Sequence, residues 1–154
     1  MVSLSVDTSE VVHLLRSPRR TTEEMLNRVV LSGDVLIMSP LVRHELVSGA
    51  LSSAAPERRV LQLEELLVQF TEVDFTPEDA SESGRVRAML RQRGTPIGDI
   101  DTLIAGQALA RGWTVVTRNV RHFGRVEGLP LIDWAEGPDP LPPARIAERV
   151  AQED

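Results

Sequence analysis

Apolar residues along this chain recur with two periods, and the switches between them mark out its elements. Val2, Leu4 and Val6 alternate with Ser3 and Ser5, which predicts a first strand over 2–6. Val11, Val12, Leu14 and Leu15 then share one helical face, with Thr8 or Ser9 as the cap and Ser17-Pro18 as the stop. Thr21-Thr22-Glu23-Glu24 reads as a capping box that opens a second helix with Leu26, Val29 and Val30 inward and Gly33 at its end. The run Val35-Leu36-Ile37-Met38 has no polar interruption, as in a strand covered on both faces. Ser39-Pro40 is a cap followed by a first-turn proline, and Leu41, Val42, Glu45, Leu46 and Gly49 fall along one side of the helix it opens.

A helix bearing Val60, Leu63, Leu66 and Leu67 follows, then a short strand from Phe70 to Val73. Thr76-Pro77-Glu78-Asp79 joins a cap, a first-turn proline and a box acid ahead of a helix reaching about Arg93. Beyond Gly94-Thr95-Pro96 a helix is predicted with Asp99 as N-cap, a stripe of Leu103, Ile104, Ala108 and Leu109, and Gly112 as the left-handed stop. Ala105 and Gly106 leave room there for a close neighbour. Trp113 to Thr117 reads as a buried strand, residues 121–124 as a turn and 129–132 as a last short strand. Strands alternating with helices imply an α/β domain, a central and mainly parallel sheet with helices on both faces. The domain is expected over residues 1–136. From Gly137 the composition turns Pro-rich, and 137–154 reads as a tail, disordered or with a short helix around 143–151, that the core can lose at a cost of a few degrees in melting temperature.

Length and composition narrow the chemistry. A chain of 154 residues with 42% hydrophobic and 26% charged residues suits one soluble domain, and a cytoplasmic location is the default. No apolar run reaches membrane-spanning length, so no membrane partner is expected. Without cysteine there is no disulfide, thiolate metal site or cysteine nucleophile. All seventeen basic residues are Arg, which rules out lysine-dependent phosphate loops, Schiff bases and Asp-plus-Lys phosphotransfer. A net charge of −6 argues against a protein that merely coats nucleic acid.

In parallel sheets, sites gather at the carboxyl ends of strands. Asp7 directly follows the first strand and Asn119 a later one, while Glu45 interrupts an apolar stripe just beyond the second strand. Asp101 stands in the first turn of the helix before the Trp113 strand. Two carboxylates about 4 Å apart repel by roughly 4 kcal/mol at an effective dielectric of 20, so a convergence of Asp7, Glu45 and Asp101 calls for a cation. Oxygen ligands without cysteine point to Mg2+ or Mn2+, and such clusters serve phosphodiester cleavage. For Glu45 the alternative is a structural ion pair with an Arg; for Asp101, mere support of a helix start.

Four segments in order carry a resemblance. Val6-Asp7-Thr8-Ser9, His44-Glu45-Leu46-Val47-Ser48-Gly49, Ile97 to Ala105 with its Asp99-Ile100-Asp101, and Val116-Thr117-Arg118-Asn119-Val120-Arg121-His122-Phe123 resemble the motifs of PIN-domain ribonucleases, above all VapC-type toxins of bacterial toxin–antitoxin pairs. Leu129 to Trp134 is similar to their closing strand. The resemblance spans residues 1 to about 136 and implies a PIN-like three-layer α/β/α domain. It further implies Mg2+- or Mn2+-dependent cleavage of RNA (tRNA, rRNA or mRNA), inhibition of translation, a homodimer and a cognate antitoxin. Carried over by position, Asp7, Glu45 and Asp101 are metal ligands, Asn119 completes the catalytic set, and Thr8, Ser9 and Thr117 orient the carboxylates. Asn119 stands where some members have Asp, which leaves one or two metals open, and Asp99 is a candidate to replace the lost charge.

Phosphate contacts are expected from Arg16, Arg43, Arg118 and Arg121, with Arg19, Arg20 and Arg125 as further candidates, and His122 is available to stack or donate. The competing readings are a nuclease of the same fold that works in RNA processing or on DNA, and a non-catalytic RNA-binding module. Three intact acids disfavour the latter, because a binding module gains nothing from their mutual repulsion.

Overall fold

The computed structural model describes residues 1–152. Its elements alternate as the apolar pattern implies: β1 (Ser3–Val6), α1 (Thr8–Arg16), α2 (Arg19–Leu31), β2 (Val35–Met38), α3 (Pro40–Leu51), α4 (Pro56–Leu67) and β3 (Thr71–Glu72). There follow α5 (Pro77–Gln92), α6 (Asp99–Arg111), β4 (Thr114–Val116), α7 (Val120–Phe123), β5 (Leu131–Ile132) and α8 (Pro143–Ala151). The strands lie in the order β3-β2-β1-β4-β5, and each neighbouring pair is parallel. Successive strand residues point to opposite faces. Leu4, Ser5 and Val6 of β1 and all of β4 are buried, so helices cover both faces of the sheet and the fold is a three-layer α/β/α domain.

The chain builds β1, β2 and β3 outward on one side, then crosses back to place β4 on the other side of β1. That reversal leaves a crevice beyond the carboxyl ends of β1 and β4, where ligands bind in open parallel sheets.

Several helix starts differ from the sequence expectation. Asp7, not Thr8 or Ser9, caps α1: its carboxylate accepts the Glu10 amide at 3.1 Å. α2 begins at Arg19, directly after Pro18, so the Thr21–Glu24 box lies inside the helix. Thr22 is buried and donates its hydroxyl to the Leu14 carbonyl at 2.9 Å, joining two helices instead of capping one. Val30, expected inward, is exposed. Gly98 is the N-cap of α6 and Asp99 its first residue, because the Gly98 carbonyl takes the Thr102 amide at 2.9 Å. Residues expected as a turn at 121–124 include the single-turn helix α7, with Val120 and Phe123 fully buried. The Thr76–Asp79 capping box and the left-handed Gly112 match the prediction.

Room at Gly106 is used in full. A Cβ there would lie 2.3 Å from the Ser83 Cα on α5, so the two helices meet backbone to backbone. Gly106→Ala is therefore expected to cost about 2 kcal/mol through forced separation, despite alanine's better helix propensity. Urea unfolding of the variant measures it, and a neutral or stabilising result would show that α5 yields freely.

The region after Gly137 is more closely tied to the domain than its prolines suggest. The Leu141 amide donates to the Leu131 carbonyl at 2.8 Å, on the outer edge of β5. In α8, opened by Pro143, Ile146 and Val150 cover Gly124, where a Cβ would fall within 2.8 Å of both side chains. Arg149 pairs with the buried Asp133 at 3.0 Å. These contacts revise the sequence expectation of a tail the core can lose at a cost of a few degrees. A chain ending at Gly137 is expected to melt roughly 5 °C or more below the full chain, the equivalent of losing a buried pair and an apolar patch. Differential scanning calorimetry of the two forms checks it.

Candidate active site

The strand register fixes the first pair of site residues. Val6 and Val116 are partners in the β1–β4 pairing, and the Asp7 amide continues it by donating to the Val116 carbonyl at 3.0 Å. Asp7 and Thr117 therefore emerge side by side in the crevice. The Thr117 hydroxyl donates to Asp7 Oδ2 at 2.6 Å, and the Ser9 hydroxyl and Glu10 amide donate to Oδ1 at 2.8 and 3.1 Å. Burial nevertheless holds the Asp7 carboxyl above its ordinary value; these three donors oppose the shift and the charge of Asp101 adds to it.

Asp101 arrives from the first turn of α6. Burial, opposed by His122 and reinforced by Glu45, raises its carboxyl as well. His122, on α7, places Nδ1 3.7 Å from Asp101 Oδ2 and 2.9 Å from Asn119 Nδ2, so Asn119 acts on the site through the imidazole. Glu45 is half-buried on α3 and accepts the Thr8 hydroxyl at 2.6 Å. Arg43, the Arg nearest it in sequence, reaches away to Glu72 and Glu64. Asp7, Glu45 and Asp101 thus form one electrostatic neighbourhood, as the sequence predicts, with Thr8, Ser9 and Thr117 as the hydroxyls that orient two of the three.

The donor set suits a hard divalent cation: carboxylate oxygens, an amide, and two acids whose ionised forms are each penalised by burial and by a neighbouring acid, Asp101 for Asp7 and Glu45 for Asp101. Among the described residues no three acidic or imidazole groups enclose an ion by themselves. Mg2+ does not need such a cage, because it keeps several waters and takes one or two carboxylates plus phosphate oxygens.

Other predicted residues lie elsewhere or have different partners. Asp99 is exposed and faces Arg87 at 3.5 Å, outside the network around Asp101, so it does not replace an acid at Asn119. Arg118 turns inward to Glu10, Nε to Oε2 at 2.9 Å. Arg19 and Arg20 bridge along α2 to Glu23 and Glu24, and Arg125 donates to the Pro96 carbonyl. Arg16 lines a groove of about 260 Å³ that also contains Glu45, Arg59 and Gln62. Arg121 is half-buried on α7 beside His122.

Sequence reasoning missed Glu10, Asp133 and Arg149. Glu10 is completely buried beneath the site; burial raises its carboxyl, Arg118 lowers it, and Asp7 and Asp133 raise it further. Among the described residues its Oε1 has no hydrogen-bond partner. The signal was present: Glu10 lies four residues before the inward Leu14, the spacing that marked Glu45.

Known proteins share this fold. The family description "PIN domain" matches residues 4–129. The tRNA(fMet)-specific endonuclease VapC of Salmonella typhimurium is 33% identical over 134 residues, 87% of this chain and 99% of that protein. Ribonuclease VapC2 of Haemophilus influenzae is 31% identical over 134 residues, with the same shares covered. Among solved structures, VapBC2 from Rickettsia felis bound to a DNA fragment from its promoter aligns with a TM-score of 0.81 at 27% identity, over 86% of this chain and 99% of that one. DNA-bound VapBC from Salmonella typhimurium gives 0.78 at 33% identity, over 87% and 99%.

Proposed function

The chain belongs to the PIN-domain family, and from that membership we propose that it is a metal-dependent endoribonuclease toxin: it cleaves RNA, stops translation, and is neutralised by a cognate antitoxin protein. It acts as a homodimer in the cytoplasm. The observation that carries this reading is the gathering of Asp7, Asp101 and Glu45 at the β1/β4 crevice, where Arg43 and Arg118 are engaged with other acids and do not neutralise them. Asp7, Asp101 and Glu45 would hold Mg2+ or Mn2+, which would supply water activation and charge neutralisation at the scissile phosphate. The chain's own part is to fix the donors. Thr117, Ser9 and the Glu10 amide aim Asp7, Thr8 aims Glu45, and Asn119 sets the ring of His122 beside Asp101.

Purified antitoxin-free protein incubated with RNA should cleave it with Mg2+ or Mn2+ and not with EDTA. The initiator tRNA is the first substrate to try, since the Salmonella relative is named for it. Failure to cut tRNA, rRNA or mRNA with either metal would overturn the reading. Glu45→Ala is expected to lower the rate roughly 10- to 100-fold while leaving apo stability unchanged or higher, because an inward acid near Asp101 is removed. A loss beyond about 3 kcal/mol in chemical denaturation would instead mark Glu45 as half of a structural pair.

A further inference from the structure

We propose that Arg149, on α8 and outside the residues matched by the family, is a positioning residue that holds the 117–123 segment against the acids of the site. The proposal rests on the ribonuclease reading for its kinetic consequence, but its geometric basis is separate. Arg149 Nη2 donates to the Arg118 carbonyl at 3.3 Å. Its Nη1 reaches Asp133 Oδ2 at 3.0 Å and Glu136 Oε1 at 2.7 Å. Asp133 follows β5, and the neighbouring Ile132 carbonyl takes the Thr117 amide at 3.0 Å. Residues 117 and 118 are thus tied on one side to β5 and on the other to α8.

That short run addresses every acid near the crevice except Glu45. Thr117 donates to Asp7, Arg118 to Glu10, and the Asn119 amide back to Thr117 Oγ1 at 2.8 Å. The Asn119 side chain holds His122 beside Asp101. α8 is seated over the same segment at Gly124, whose missing side chain admits Ile146 and Val150.

Charge reinforces the tether. Glu10 and Asp133 are buried and repel one another, and Arg118 and Arg149 answer one each. Without Arg149, Asp133 loses its ion-pair partner beside Arg118, and the guanidinium is drawn toward two acids at once. The backbone that presents Thr117 and Asn119 then has a second position available. Displacement of a positioning group by about 1 Å is enough to slow a reaction up to a hundredfold without altering the reacting groups.

The test uses the full chain and three variants: Arg149→Met, Arg149→Lys and Arg145→Met. Arg145 lies on the same helix and pairs with Glu136 and Glu148, with no bond to residue 118, so it controls for α8 docking. With initiator tRNA and Mg2+, Arg149→Met should lower kcat about tenfold or more with KM within about twofold. Arg149→Lys keeps the charge but not the fork that reaches both Asp133 and the Arg118 carbonyl, so it should lose about threefold in kcat, and Arg145→Met should match the wild type. Amide hydrogen exchange read in apo protein should be about tenfold faster across 117–123 in Arg149→Met, with α5 amides unchanged. Wild-type kcat and exchange in Arg149→Met would overturn the proposal, as would an equal loss in Arg145→Met. Should Arg149→Met not fold, Arg149→Lys decides by the same two measurements: exchange across 117–123 faster than wild type, with α5 unchanged, supports the role, and wild-type kcat with wild-type exchange removes it. If the wild type itself cleaves no RNA, the functional reading fails, and the exchange data alone decide the role of Arg149.

Discussion

Asp101→Asn is expected to reduce RNA cleavage by roughly a hundred- to a thousandfold while the apo protein melts at the same temperature or slightly higher. The two halves of this result have one cause. Burial and the neighbouring Glu45 penalise the ionised carboxylate, and His122 offsets them only in part. The folded-state value is raised above the ordinary 3.8, so ionisation opposes folding as pH climbs through that value and beyond it. Asn keeps the shape without the charge and escapes that penalty at neutral pH. What it gives up is the charge a hard cation needs. Asp99→Asn is the control: its side chain is exposed and faces Arg87, so it should keep nearly full activity. Cleavage rates and Mg2+-dependent melting shifts, taken together, read both predictions. An active Asp101→Asn protein with a normal Mg2+ response would remove Asp101 from the site.

The positions of Asp7, Glu45 and Asp101 were legible because each sits at a place that sequence periodicity defines. One ends a strand, one breaks an apolar stripe, and one opens a helix. Their meeting in one crevice followed from the parallel-sheet rule applied three times. Helix starts were less legible, since capping signals are local while the caps are decided by tertiary partners. Asp7 caps α1 although two hydroxyl residues follow it, and Thr22 gives its hydroxyl to the preceding helix. Asp99 looked like a cap, yet the Gly98 carbonyl takes the first helical bond. The arginines were misread for a related reason. Composition shows that cations are abundant and says nothing of which carboxylate each meets across the fold, so Arg43 and Arg118 were assigned to phosphate although both meet acids of the domain itself. Arg149 lay in a segment whose prolines predicted no fixed place, and the packing over Gly124 together with the Leu141–Leu131 bond gives it one.

Arg118→Met is expected to lower stability by about 3 kcal/mol at pH 7 and to cost almost nothing near pH 4. The low end of the range for a broken buried pair applies because the guanidinium is about one-third exposed, whereas its partner Glu10 is fully buried. Glu10 is faced by Arg118, Asp7 and Asp133, two acids against one cation. Burial already raises its carboxyl above 4.5 in the wild type, and Arg118 holds that rise down. A carboxyl with a raised folded-state value withdraws stability as pH rises from its unfolded value to its folded one. Removing Arg118 lifts the folded value further, so the variant loses stability over a longer stretch of pH than the wild type does. Below the unfolded value Glu10 is protonated in both states of both proteins, and the difference closes. The ion pair that Arg118 makes is with Glu10, so the difference between the two stability curves reads Glu10. Urea unfolding at unit steps from pH 4 to 7 reads it directly, and a gap that stays constant across that range would mean that Arg118 contributes packing alone.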